Sequence, residues 1–192
     1  MNTSRLFQVL SGIHSLSDDF KKAIERRLTL LSLPKHYMLV EGGDVAKHAY
    51  FLNSGLAMSY TFLEGNRLIE SFWISGQVIV STRSFFEQLA SGEFIELMDK
   101  SEVLSISHSS VLQLFDTFPE AHIIYRGVMN QYFEGCRERI RDMQNLTAVK
   151  RYKKLIHDFP HIEQHIAQEY IASYVGIAPQ SLSRIKRQSG RI

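Results

Sequence analysis

The chain has 192 residues, 44% of them hydrophobic and 22% charged, the balance of an ordinary globular protein with room for one large domain or a medium and a small one. A single cysteine, Cys136, excludes an internal disulfide and any multi-thiolate zinc or iron–sulfur centre. The net charge of +2 hides a division: residues 1–136 hold 11 Lys and Arg against 15 Asp and Glu, whereas residues 137–192 hold 11 against 5. Only the C-terminal third therefore suits a polyanion.

In chain order, the opening residues lack the charged, apolar, small-residue order of a secretory signal, and no apolar run is long enough for a bilayer. A cytoplasmic protein without a membrane partner is expected. The first helix is expected near "LSDDFKKAIERRL", with Ser17 as N-cap and two acids in the first turn. From Tyr37 to Ser107 the texture changes to short strands rich in β-branched and aromatic residues: "YMLV", "AYFLN", "LAMSYTF", "RLIESFWI", "QVIV", "FIELM" and "EVLSIS". Glycines punctuate them at turn-like intervals, and "LEGNR" between two alternating segments is a hairpin signal. This spacing indicates a β-sandwich, jelly roll or barrel.

After Ser107 the apolar period becomes helical. "SSVLQLFDTF" reads as a short helix stopped before Pro119, and a longer one runs from Pro119 to Asn145. Along it Tyr125, Met129, Tyr132, Cys136, Ile140 and Met143 recur at three- and four-residue steps. That stripe packs either on the chain's own β domain or on the same helix of a second copy. Its length and the interspersed Arg137, Glu138, Arg139 and Arg141 favour the second arrangement. "LTAVKRYKKLIHDF" makes a further helix, which Pro160 breaks.

The stretch "YIASYVGIAPQSLSRIKRQ" closes the pattern. Ile171, Val175, Ile177, Leu182 and Ile185 supply buried positions for two crossing helices, Ala172 is the small contact, and Gly176 sits where the turn needs positive φ. Pro179 suits the first position of the second helix. Gln180, Ser181, Arg184 and Arg187 then mark a polar face opposite Leu182 and Ile185. Arg184 has the fork to bond guanine O6 and N7, and Gln180 the amide to pair with adenine. Ser181 and the open N–H groups at the helix start suit a phosphate. Lys150, Arg151, Lys153, Lys154, Lys186 and Arg187 are assigned to backbone contacts or to solvent.

In this order of parts the chain resembles the Crp/Fnr family of bacterial transcription regulators. The resemblance spans nearly its whole length, and "IASYVGIAPQSLSRI" and "VEGGDVAKHAYFLNSGLAMSYTF" carry it most closely. It implies an α+β chain: an antiparallel β jelly roll of cyclic-nucleotide-binding type over residues 1–118, a dimerisation helix over 119–145, and a small all-α helix-turn-helix over 146–192. It further implies a homodimer on a palindromic site in double-stranded DNA, with RNA polymerase as a further partner. Carried over by position, Pro179, Gln180 and Arg184 fall where relatives read bases; proline there departs from the pattern, having no donor to offer. With only a handful of residues after the last helix, the β-hairpin wing found in many relatives is expected to be missing or reduced.

A second departure concerns the effector. Relatives that bind cyclic nucleotides carry a cassette that begins Gly-Glu and ends Arg-small, the Arg pairing with the cyclic phosphate and the Glu with the ribose. Here the segment is "GQVIVSTRSFFEQLASGEFIELMD": Gly76 is kept, Gln77 replaces the ribose-binding Glu, and Glu93-Phe94 stand at the Arg-small pair. Arg83 lies toward the wrong end. An acid opposes a phosphate, so a cyclic nucleotide is not expected in the family's manner. Trp73, Phe85, Phe86 and Phe94 leave a pocket for another ligand or a pocket packed shut, and packing is the expected outcome. No cofactor or metal is expected: haem ligands lack an identifying spacing, and Pro160 breaks the helix that would align His157, His161 and His165. A metal enzyme on a jelly roll is disfavoured by the absence of any His-x-His. An interaction module with a vestigial helix-turn-helix remains as the alternative.

Overall fold

The computed structural model describes residues 2–189. Two helices lead, α1 (Ser4–Ser11) and α2 (Asp18–Glu25). The Phe20 amide donates to the Ser17 hydroxyl at 3.2 Å, and Asp18 and Asp19 occupy the first turn of α2, where the helix dipole favours them. α1 was not expected; it is anchored by two buried side chains, Leu6 and Leu10.

Eight strands follow: β1 (Thr29–Leu33), β2 (Met38–Val40), β3 (His48–Ser54), β4 (Leu56–Leu63), β5 (Asn66–Ile74), β6 (Val78–Ile79), β7 (Phe94–Leu97) and β8 (Ser101–Ser107). A short helix, α3 (Thr82–Glu87), interrupts them between β6 and β7. They form two four-stranded sheets, in the orders β1-β8-β3-β6 and β2-β7-β4-β5, with every pairing antiparallel. The β4–β5 hairpin closes through Glu64 and Gly65, both at positive φ (51° and 80°), the backbone a two-residue turn between twisted strands demands. Inward residues of the two sheets, among them Leu52, Ala57, Trp73, Ile95, Leu97 and Val103, make the core of the roll. β1 lies ahead of the strand-rich stretch expected from Tyr37 and is held by antiparallel pairing with β8, from Thr29 opposite Ser105 to Leu33 opposite Ser101.

The helical part comprises α4 (His108–Thr117), α5 (Pro119–Asn145), α6 (Ala148–Asp158), α7 (Ile162–His165), α8 (Gln168–Val175) and α9 (Pro179–Ser189). α5 begins at Pro119 and runs for 27 residues. The outer face of the β4–β5 layer is not left to solvent. Leu56, Met58, Tyr60, Ile69 and Phe72 share one apolar cluster with Tyr152, Leu155, Ile171, Val175 and Leu182 of the terminal helices. Hydrogen bonds reinforce the junction: the Ile69 amide donates to the Ser173 hydroxyl (3.0 Å), which donates to the Arg67 carbonyl (3.2 Å).

Candidate nucleic-acid interface

α8 and α9 meet at a turn whose geometry follows from three residues. Gly176 adopts φ 74° and ψ 45°, and the Ile177 amide reaches back to the Ala172 carbonyl at 3.0 Å, the closing bond of a glycine-capped helix. Ala172 is fully buried, and its lack of bulk permits the close crossing. Pro179 opens α9, where its missing N–H removes no helical bond. Leu182 and Ile185 face inward against Ile171 and Val175, and Ile177 packs partly buried on the same cluster. On the other side Pro179, Gln180, Arg184 and Arg187 are exposed and Ser181 is half-buried.

The cations of this unit divide into two groups. Lys186 is committed to Glu163, with 2.6 Å between Nζ and Oε1, and the Tyr152 hydroxyl donates to the same carboxylate oxygen at 2.8 Å. Burial alone would raise the Glu163 carboxyl, yet the Lys186 and Tyr152 hydrogen bonds hold it below the usual carboxylate range. Arg151 donates to the Val175 carbonyl (2.8 Å) at the end of α8 and to the Leu146 carbonyl (2.6 Å), so it serves as a structural cap. Lys154 straps α6 to α5 through Glu138 and Asp142, each at 2.5 Å. Lys150, Lys153, Arg184 and Arg187 remain exposed. Charge counting could not separate these groups, because pairing is decided by helices distant in sequence.

The apolar stripe of α5 also divides. Tyr125 packs edge-on against Phe86 (4.8 Å between centroids), Met129 lies on the core of the roll, and Tyr132 donates to the Val78 carbonyl (3.0 Å) while accepting from the Val80 amide (3.2 Å). These three residues face their own β-roll, so they do not continue the stripe expected to meet a second copy. Burial pushes the Tyr132 phenol well above its ordinary range. Further along, Cys136, Ile140 and Met143 are exposed, joined by Phe133, which is 62% exposed.

The expected effector residues fall in three places. A cavity of about 700 Å³ lies between the inner face of β4–β5 and α5, lined by Gly76, Gln77, Trp73 and Glu93 among others. Gln77 turns its amide oxygen onto the Ile74 amide (2.9 Å). Arg83 is on the surface, paired with Glu87 at 3.3 Å. Phe94 points to the opposite face of β7, stacked on Tyr60 at 5.2 Å. Phe85 and Phe86 pack on each other outside this cavity. The expectation of a pocket packed shut is therefore corrected: of the four aromatics only Trp73 lines the space, as a wall.

Two antiparallel sheets closed into a roll, one long helix and a terminal pair of crossed helices define the fold of the Crp/Fnr regulators. Among solved structures, the chain superposes on a protein assigned to the Crp/Fnr family of transcriptional regulators from Eubacterium rectale with a TM-score of 0.73, at 17% identity over 90% of this chain and 83% of that one. The c-di-GMP-responsive global regulator CLP of Xanthomonas campestris matches with a TM-score of 0.70, at 16% identity, covering 91% and 92% of the two chains. The Thermus thermophilus catabolite activator protein matches at 0.58, with 14% identity and 95% and 87% coverage. No protein-family model and no curated protein matches the sequence. Among the described residues no helix is long and apolar enough to cross a membrane.

Proposed function

We propose that the protein is a homodimeric, sequence-specific DNA-binding transcription regulator whose cavity does not take a cyclic nucleotide in the usual manner. The observation that carries the reading is α9 itself. Its buried side is fixed by Leu182 and Ile185, and its exposed side presents Gln180, Arg184 and Arg187. The expected phosphate site of free amides at the helix start is corrected: Pro179 has no N–H, and the Ser181 amide already donates to the Ala178 carbonyl at 2.9 Å. The fold likeness to regulators supports the reading, and the same likeness suggests RNA polymerase as a further partner. Selection of bound sites from a random DNA pool tests it, enrichment of a palindrome being the expected result. Arg184→Ala is expected to cost about 1–3 kcal/mol of discrimination, roughly 5- to 150-fold, with the fold intact. Equal binding of both proteins to the selected site would remove Arg184 from base reading. A pool without any enriched site would favour the interaction-module alternative.

The proposal sets the second copy against the outer half of α5. Phe133, Cys136, Ile140 and Met143 form an uncovered apolar row there, flanked by Arg137 and Arg141. Ile140→Asp is expected to weaken self-association at least about tenfold, because it strands a carboxylate in an apolar contact. Sedimentation equilibrium checks this. Met129→Asp provides the contrast: it should lower the stability of the roll and leave the association of the folded fraction unchanged.

A further inference from the structure

The cavity behind α5 has a charge opposite to the one a nucleotide needs. Two carboxylates line it: Glu93, just before β7, and Glu70, at the irregularity where β5 shifts register against β4 between Ser59 and Tyr60. Thr61 donates to Glu70 at 3.3 Å. Arg139 is the only Lys or Arg in the lining among the described residues, and it is already engaged. Its Nη2 donates to the Ile69 carbonyl at 3.2 Å, and its guanidinium sits 4.0 Å from the centre of the Tyr174 ring. The rest of the wall is largely apolar and aromatic, with Trp73, Val80, Val128, Tyr132 and Ile140. The volume falls within the range of small-molecule sites.

The cavity opens to solvent past Leu68 and Ile140, yet a carboxylate set largely into the wall loses much of its hydration, a cost that a cation offsets. Burial raises the Glu93 carboxyl; the Ser81 hydroxyl partly offsets this, and the neighbouring Glu70 charge adds to the rise. We propose that the cavity binds a small organic ammonium ion with an aromatic body, the ammonium paired with Glu93 and Glu70 and the ring lying along the Trp73 wall. The chemistry is complementary on both counts: acids for the charge, and an indole for the ring and for cation–π attraction. Tyr174 of α8 lines another part of the same space, beneath the Arg139 guanidinium, so the cavity borders the helix pair proposed to read DNA. This deepens the regulator reading and rests on it only for the effect at DNA.

Titration calorimetry of the full chain with tyramine, with its alcohol analogue tyrosol, with 4-hydroxyphenylacetate and with cyclic AMP tests the proposal. Tyramine is expected to bind once per chain, tyrosol at least about tenfold more weakly, and the two anions not at all. Glu93→Gln is expected to lower tyramine affinity at least about tenfold. The same change is expected to raise the melting midpoint of the ligand-free protein at neutral pH. The sign follows from the raised acid: the contribution of Glu93 to wild-type stability is full where it is protonated and is lost as pH rises through its titration, whereas the amide stays neutral. The gain should vanish below the ordinary carboxylate range. Glu70, Tyr132, Cys136, Arg139 and Tyr174 are the other titratable or charged groups around the cavity, and the variant leaves them in place. Equal affinities for tyramine and tyrosol, no tyramine binding by the folded chain, or binding of cyclic AMP in its place would each overturn the proposal. DNA-site selection is read separately, so failure there would strike the regulator reading and leave the ligand result standing.

Discussion

Truncation of Leu182 to alanine is expected to cost about 2–5 kcal/mol and, on the proposed function, to abolish selective DNA binding. Leu182 is fully buried on the inner side of α9, in one cluster with Ile171, Ala172, Val175 and Ile185. Removing its branched end opens a cavity that Ala172, already minimal, cannot fill from across the helix crossing. The cluster also includes Met58, Ile69 and Phe72 of the sheet, so the loss loosens both the helix crossing and its seat on β4–β5. Trp73, the sole tryptophan, sits in the roll and reports on that part by fluorescence, while far-UV ellipticity reports the helices. The expected result is an earlier loss of ellipticity, with operator affinity gone at a temperature where Trp73 remains buried. Unchanged melting and unchanged DNA affinity would mean that α9 does not depend on this contact.

The second large effect belongs to Arg67→Ala. Arg67 on β5 donates to Glu96 (3.1 Å) and to the Tyr170 hydroxyl (3.2 Å), and its guanidinium lies 4.3 Å from the centre of the Tyr60 ring. Glu96 is buried, and its other oxygen meets His36 Nδ1 at 2.6 Å. Taking away the guanidinium leaves the carboxylate with the His36 contact alone, a loss of about 3–5 kcal/mol for a broken buried pair. Glu96→Gln separates the causes. If the penalty comes from the stranded charge, the double variant will be more stable than Arg67→Ala alone; if it comes from the lost contacts to Tyr60 and Tyr170, the double variant gains nothing. Denaturant midpoints give the energies. Hydrogen exchange at the Ile69 amide, which donates to Ser173, reports whether α8 has loosened from the sheet.

The parts that local chemistry controls were legible in the sequence. Ser17, Pro119, Gly176 and Pro179 each act within a few residues, and the elements they start or stop lie where those residues put them. What depends on distant partners was not. The three- and four-residue recurrence along α5 identifies an apolar face, but only the third dimension shows that Tyr125, Met129 and Tyr132 pack on the roll while Ile140 stays largely exposed at the rim of the cavity. Glu93 and Phe94 were assigned together to the pocket although neighbours at the edge of a strand point to opposite faces, so the period of two could have separated them. The docking of α8 on β5 carried no signal at all: Arg67, Ser173 and Arg139 are unremarkable surface types whose roles exist only once they are adjacent.

That docking has a consequence for the integrity of the sheet. β5 is the outermost strand of its layer, nine residues long, and Leu68 on it and Leu63 at the end of β4 are exposed. Strands of this kind recruit other strands, because their outward amides and carbonyls lack partners. Here Ser173 and Arg139 occupy those groups at Arg67 and Ile69, and the apolar side chains of the terminal helices cover the adjoining face. The helix pair is thus also a guard against edge-to-edge aggregation. A chain cut between α5 and α6 would bare a template for strand addition, and any motion that lifts α8 from β5 opens that template for as long as it lasts.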